Sequence, residues 1–205
     1  YHNRNNMIIH ILTKNSVLNE YEFKNTELID AAVSEVLGGD TLEQKKTFCF
    51  GKWQTQRRWS AFYSRCSSGY KFSGSNTGVH PLGEYMQILL SKVNLIFKAE
   101  FNSILVNYYI DGNNKIDAHS DNETSVDMER GVVAISRGAV RKFRIRNKDK
   151  SIFEDTGMKF KDIPTVPYKI LHMVGDFQDE FTHEIPVEKK IKEPRMSFTF
   201  RKHTK

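Results

Sequence analysis

Arg195-Met196-Ser197-Phe198-Thr199-Phe200-Arg201 alternates without a break. In an extended chain Met196, Phe198 and Phe200 share one face, and Arg195, Ser197, Thr199 and Arg201 share the other. The segment therefore predicts a strand with one apolar face on a core. Its polar face carries two arginines, which are either solvated or grip an anion. Toward the N-terminus, short runs rich in β-branched and aromatic residues predict further strands at 103–110, 132–136, 142–146 and 169–174.

Two other segments have the helical period. Between 26 and 37, Leu28, Ile29, Ala32, Val33, Val36 and Leu37 recur at helical spacing, and Gly38-Gly39 supplies a stop. Between 82 and 97 the stripe is Leu82, Met86, Leu89, Leu90, Val93 and Phe97, with Pro81 placed to start it. Short strands following a helical section predict a mostly β, α+β fold: a sheet sandwich or a double-stranded β-helix (jelly roll) core, backed by N-terminal helices. The 205 residues suit one domain, and no repeat, low-complexity tract or linker divides them. Its expected parts are a helical extension over 1–46, a lid over 47–80 and the jelly-roll core over 100–202.

Hydrophobic residues make up 39% and charged residues 27%, which excludes a disordered chain. Lys and Arg outnumber Asp and Glu by 31 to 25, a net +6 that is compatible with a polyanionic partner without requiring one. Two cysteines are too few for a disulfide framework. No secretion signal and no membrane-spanning run are visible, so an intracellular monomer, in nucleus or cytoplasm, is expected.

The chemistry begins at His119-Ser120-Asp121. Residues two apart on an extended segment point the same way, so an imidazole and a carboxylate converge. With a distant second histidine they match the two-His, one-carboxylate set that holds non-haem Fe(II) and leaves positions open for a cosubstrate and O2. The candidate is His183, within Met173-Val174-Gly175-Asp176-Phe177-Gln178-Asp179-Glu180-Phe181-Thr182-His183-Glu184-Ile185-Pro186. The tripeptide alone is a weak signal, and its specificity comes from the flanking segments. His2, His10, His80 and His203 lie outside the pattern, and His172 reads as structural.

H-x-D, a distal His, then R-x-x-x-x-x-R, in that order, closely resembles the AlkB family of Fe(II)/2-oxoglutarate dioxygenases. So do Asn107-Tyr108-Tyr109 and Ser136-Arg137-Gly138-Ala139-Val140-Arg141-Lys142-Phe143. The resemblance implies Fe(II) on His119, Asp121 and His183, with 2-oxoglutarate and O2 as cosubstrates. Arg195 would take the distal carboxylate of 2-oxoglutarate with Tyr109 and Asn107, and Arg201 would lie near its metal-bound end. The chain departs from the family at Ser197, where Asn is usual, and at Asn122, where an acid is frequent. A planar guanidinium suits the distal carboxylate because it can bind bidentately.

The implied reaction is oxidative removal of alkyl groups from nucleic-acid bases of the 1-methyladenine and 3-methylcytosine type. Formaldehyde leaves as 2-oxoglutarate becomes succinate and CO2. A base must leave the stack to be reached. Tyr70 and Phe72, in a Tyr70-Lys71-Phe72-Ser73-Gly74 segment resembling the family's nucleotide-recognition lid, would stack on it. Glu123 would accept a hydrogen bond from its exocyclic amine. Phe48-Cys49-Phe50-Gly51-Lys52-Trp53 reads as a hairpin whose Phe50 would wedge into the stack, as in members acting on duplex DNA. Arg57, Arg58, Lys142, Arg144, Arg146 and Lys148 are the expected phosphate contacts. DNA is the favoured partner. The same chemistry on RNA, and a non-catalytic jelly roll that only binds nucleic acid, are the alternatives.

Overall fold

The computed structural model describes residues 7–49, 51–65, 70–72, 75–123 and 125–204. From the N-terminus the elements are β1 (Ile8–Ile11), β2 (Ser16–Glu22), α1 (Thr26–Gly38), β3 (Lys46–Cys49), β4 (Lys52–Thr55), β5 (Trp59–Ser64), β6 (Tyr70–Phe72) and β7 (Ser75–Thr77). Then follow α2 (Glu84–Phe97), β8 (Ser103–Tyr109), β9 (Ile116–His119), β10 (Val126–Asp127), β11 (Val132–Gly138) and β12 (Lys142–Asn147). The chain ends with β13 (Lys161–Pro164), β14 (Lys169–Gly175), α3 (Phe177–Glu180), β15 (Phe181–Ile185) and β16 (Arg195–His203).

The larger sheet runs β1-β2-β14-β11-β16-β8-β5, with β10 paired to β16, and the smaller runs β13-β12-β15-β9. β3–β4 and β6–β7 form separate hairpins. The alternation of β16 decides which side each layer takes. Met196, Phe198 and Phe200 join Ile104, Val106, Val133 and Ile135 of the larger sheet in one core with Leu28, Ile29, Met86, Leu89 and Leu90 of the helices. Between the two sheets lies a second core, where Tyr109, Leu171 and Met173 meet Phe143, Ile145, Phe181 and Ile185. The polar face of β16 therefore looks into the space between sheets, as the jelly-roll expectation requires.

One expectation is corrected. Of the expected helical extension over 1–46, the described residues 7–46 are helical only in α1: β1 and β2 occupy most of 8–22, and β2 pairs with β14 from Ser16↔Gly175 to Glu22↔Lys169. Leu18 sits fully buried between the sheets, so this segment completes the core. Its runs are too short and too interrupted by polar residues to show the period-2 signal in the sequence.

α1 covers the predicted span, opened by Asn25, whose side chain accepts from the Leu28 N–H at 3.2 Å. α2 begins at Glu84, two residues after the first residue of its apolar stripe, and its first turn is capped from elsewhere. The Glu35 carboxylate of α1 accepts from the main-chain N–H of Tyr85 at 2.9 Å and of Met86 at 3.1 Å. A Cβ on Gly83 would meet that carboxylate at 2.4 Å, so glycine is what allows the approach.

Candidate metal centre

His119 is the last residue of β9 and pairs directly across the ladder with His183 of β15. The two rings lie 4.4 Å apart between centroids. Asp121 lies just past the end of β9 and is almost fully buried. Its Oδ1 is 3.7 Å from His119 Nε2, and its Oδ2 is 3.5 Å from His183 Nε2. Ligand atoms of all three lie within 4.8 Å of one another, the only such group among the described residues. His119 Nδ1 donates to the Asp117 carbonyl at 2.8 Å, which turns the Nε2 lone pair toward the cluster. Phe143 stacks on His183 at 5.0 Å and closes the inner side.

Burial lowers the pKa of His119 and takes His183 down to about 3, so both rings stay neutral and able to ligate. Burial pushes Asp121 up, but Arg201, His183 and His119 together hold it below its ordinary value. Arg201 Nη2 donates to Asp121 Oδ1, and Arg201 Nη1 lies 3.7 Å from Glu123 Oε1. Glu123 therefore stands beside the cluster.

The face of β8 and β16 that looks between the sheets carries the rest. Arg195 pairs across the ladder with Tyr109, and Ser197 with Asn107. Arg195 is 4% exposed. Its Nε donates to Thr165 Oγ1 at 3.2 Å and its Nη2 to Ser136 Oγ at 2.8 Å. Its Nη1 is buried without a hydrogen-bond partner among the described residues. A buried cation with one donor left over fits an anion that must bring its own acceptor, as the distal carboxylate of 2-oxoglutarate does. Two imidazoles and a carboxylate equally fit Fe(II). The donor set thus matches the metal and the keto acid implied by the sequence.

Arg58 is corrected. Expected on the surface against phosphates, it is 6% exposed, and its Nε donates to Asn107 Oδ1 at 2.6 Å. That bond turns the Asn107 Nδ2 away from Arg58. Three more of the expected phosphate contacts are committed elsewhere. Arg144 holds Asp162 bidentately at 2.7 and 2.8 Å, and Arg146 holds Glu184 at 2.9 Å. Lys148 Nζ donates to the Gln178 carbonyl at 2.7 Å. Arg57 and Lys142 keep exposed side chains. Phe50 and Gly74 lie outside the described residues. Tyr70 and Phe72 lie on β6, but their side chains lie outside what is described.

Sequence reasoning missed Arg58, Thr165 and Gln178 as neighbours of the site. Ser136 stood in a quoted motif without a role. Thr165 and Gln178 carry no local signal, because each acts through a contact far along the chain.

The family profile described as the 2OG-Fe(II) oxygenase superfamily matches residues 10–201. The chain belongs to this superfamily. Within it this oxygenase groups with AlkB-type proteins. It is 30% identical over 154 residues to the DNA oxidative demethylase ALKBH2 of Bos taurus, covering 75% of this chain and 55% of the relative. The human ALKBH2 gives 30% over 75% and 59%. Alpha-ketoglutarate-dependent dioxygenase alkB homolog 3 of Mus musculus is 30% identical over 71% of this chain and 51% of its own length. The oxygenase thus spans a little over half the length of these curated relatives. The solved structure of OsALKBH1 superposes with a TM-score of 0.54 at 15% identity, over 96% of this chain and all of that one, which supports the fold.

Two imidazoles whose pKa values burial lowers, those of His183 and His203, make the expected stability depend on pH. Unfolded histidine titrates near 6.5, whereas burial takes His183 to about 3 and, with Arg201 adding to it, His203 to about 4. Between those values the unfolded chain binds protons that the folded chain does not, so stability falls as pH falls. The urea midpoint of the metal-free protein is expected to drop steadily from about pH 6.5 to about 5, above the range where most carboxylates titrate. A flat midpoint over that window would show that these rings are not buried neutral.

Proposed function

We propose that the chain is a 2-oxoglutarate-dependent dioxygenase that oxidatively dealkylates N-alkylated nucleic-acid bases, with DNA the favoured substrate. The observation that carries this reading is the His119, Asp121 and His183 cluster on the same inter-sheet space as the unmatched Nη1 of Arg195. The relatives named as DNA oxidative demethylases support the substrate class.

In this reading His119, Asp121 and His183 hold the Fe(II), and Arg195 with Tyr109 takes the far carboxylate of 2-oxoglutarate. Fe(II) with 2-oxoglutarate and O2 supplies the oxidising power to hydroxylate an N-alkyl carbon, yielding succinate, CO2 and a hemiaminal that releases formaldehyde. Arg201 balances the charge of Asp121 and, beside Glu123, marks the side on which the base lies. Glu123 offers an acceptor to the exocyclic amine of adenine or cytosine. Phe143, Phe177 and Phe181 keep water from the inner side of the metal ligands.

The β3–β4 hairpin supports nucleic acid as the partner. Phe48 and Trp53 pair across it at 5.4 Å, yet are 53% and 64% exposed, with Lys46 and Lys52 on the same hairpin. Exposed aromatics beside lysines suit stacked bases between phosphates. Removing both rings (Phe48→Ala with Trp53→Ala) is expected to cost about 2 kcal/mol, or roughly thirtyfold in the KM for an oligonucleotide. The KM for 2-oxoglutarate should not move. An unchanged oligonucleotide KM removes the hairpin from the interface.

The deciding experiment measures formaldehyde and succinate from matched duplex DNA, single-stranded DNA and RNA bearing 1-methyladenine or 3-methylcytosine, with Fe(II) supplied. Release from DNA supports the reading. Release from RNA alone reassigns the substrate, and succinate without formaldehyde on any of them removes nucleic acid altogether.

A further inference from the structure

We infer that Gln178 is a positioning residue of the metal centre, its amide oxygen holding the carboxylate ligand in place through the main-chain N–H of Asp121. The inference rests on the metal centre and not on the nucleic-acid substrate. Asp121 lies beyond the end of β9, where no ladder hydrogen bond is made for its N–H. Gln178 Oε1 accepts that N–H at 2.8 Å, and Gln178 is itself 4% exposed. Losing the acceptor would leave a buried N–H unmatched, and the loop would shift to regain one.

The amide is held on its other side as well. Gln178 Nε2 donates to Met173 Sδ at 3.3 Å, and the main-chain carbonyl of Gln178 accepts from Lys148 Nζ. Phe177 beside it is fully buried between the sheets. α3, which carries Gln178, runs directly into β15, which carries His183. One four-residue helix therefore sets both the strand of an imidazole ligand and the loop of the carboxylate. Ser120 Oγ adds a second tie by donating to the Phe181 carbonyl at 2.8 Å.

Arg201 and Gln178 divide the work on Asp121. The guanidinium balances its charge, while the amide oxygen sets its distance from the two imidazoles. Groups that hold a metal ligand from behind typically matter by about 10–100-fold in metal affinity.

The test is Mn(II) binding to the full chain, followed by electron paramagnetic resonance without 2-oxoglutarate or O2, with thermal melting of the metal-free protein alongside. Gln178→Met keeps the side-chain volume and removes the acceptor, whereas Gln178→Glu keeps an acceptor oxygen. The Met variant is expected to bind Mn(II) about 10–100-fold more weakly, and the Glu variant within about threefold of the parent. A folded Met variant with parental affinity overturns the proposal, as does equal weakening by Met and Glu. Should Gln178→Met fail to fold, Gln178→Asn, which draws the acceptor back by one methylene, is judged by the same criteria. Failure of the parent chain to bind Mn(II) overturns the centre and the proposal with it.

Discussion

His183→Ala is expected to abolish metal binding and 2-oxoglutarate turnover together, by at least about a thousandfold in turnover. The Nε2 of His183 lies 3.5 Å from Asp121 Oδ2, and its ring faces His119 across the β9–β15 ladder. With its pKa near 3, it is neutral at any working pH and needs no proton removed before it ligates. Removing it leaves one imidazole and one carboxylate, too few to hold Fe(II) against water. The loss should appear in Mn(II) affinity as well as in succinate formation, with the far-ultraviolet circular dichroism preserved. His172→Ala is the informative control. That ring is half-buried, packs on Phe97 at 4.5 Å and bonds the Arg130 carbonyl at 2.7 Å. Its loss should lower the melting temperature and leave metal affinity alone. Metal binding retained in His183→Ala would dismantle the centre described above.

Arg195→Ala is expected to raise the KM for 2-oxoglutarate roughly a hundredfold. The guanidinium spends Nε on Thr165 and Nη2 on Ser136, which orients it and leaves Nη1 for a ligand. A charge-assisted bond in so buried a site is worth about 1.5–3 kcal/mol, and one tenfold step is about 1.4 kcal/mol. Arg195→Lys should recover part of the loss, since an ammonium keeps the charge but not the planar fork. The oligonucleotide KM at saturating 2-oxoglutarate should stay near parental. An Arg195→Ala enzyme with an unchanged KM for 2-oxoglutarate would move the cosubstrate elsewhere.

The residues behind both expectations were legible before any fold was known, because the short motifs that carry them resemble the AlkB family. β16 spells out its two faces in seven residues, and the inner face is the one that carries Arg195, Ser197 and Arg201. His119 and Asp121 are two residues apart, so their convergence needs no tertiary knowledge beyond an extended segment. The phosphate contacts were less legible. Lys142, Arg144 and Arg146 do alternate as a surface face would, but Asp162 and Glu184 arrive from β13 and β15 to pair the two arginines. Opposite charges on neighbouring strands cannot be matched from spacing along one strand. The N-terminal hairpin failed for a related reason, since β2 is a strand chiefly because β14 lies beside it.

By itself the sequence determined the layered β fold, through period-2 alternation, and the kind of chemistry, through short ordered motifs that resemble the AlkB family and name the residues expected to bear it. The tertiary structure alone decided that Arg58 turns inward to Asn107, that Glu35 caps α2 and that Gln178 stands behind Asp121. Each of these rests on one or two hydrogen bonds between groups 49 to 57 residues apart, and hydrogen bonds of that kind leave no periodic trace along a chain.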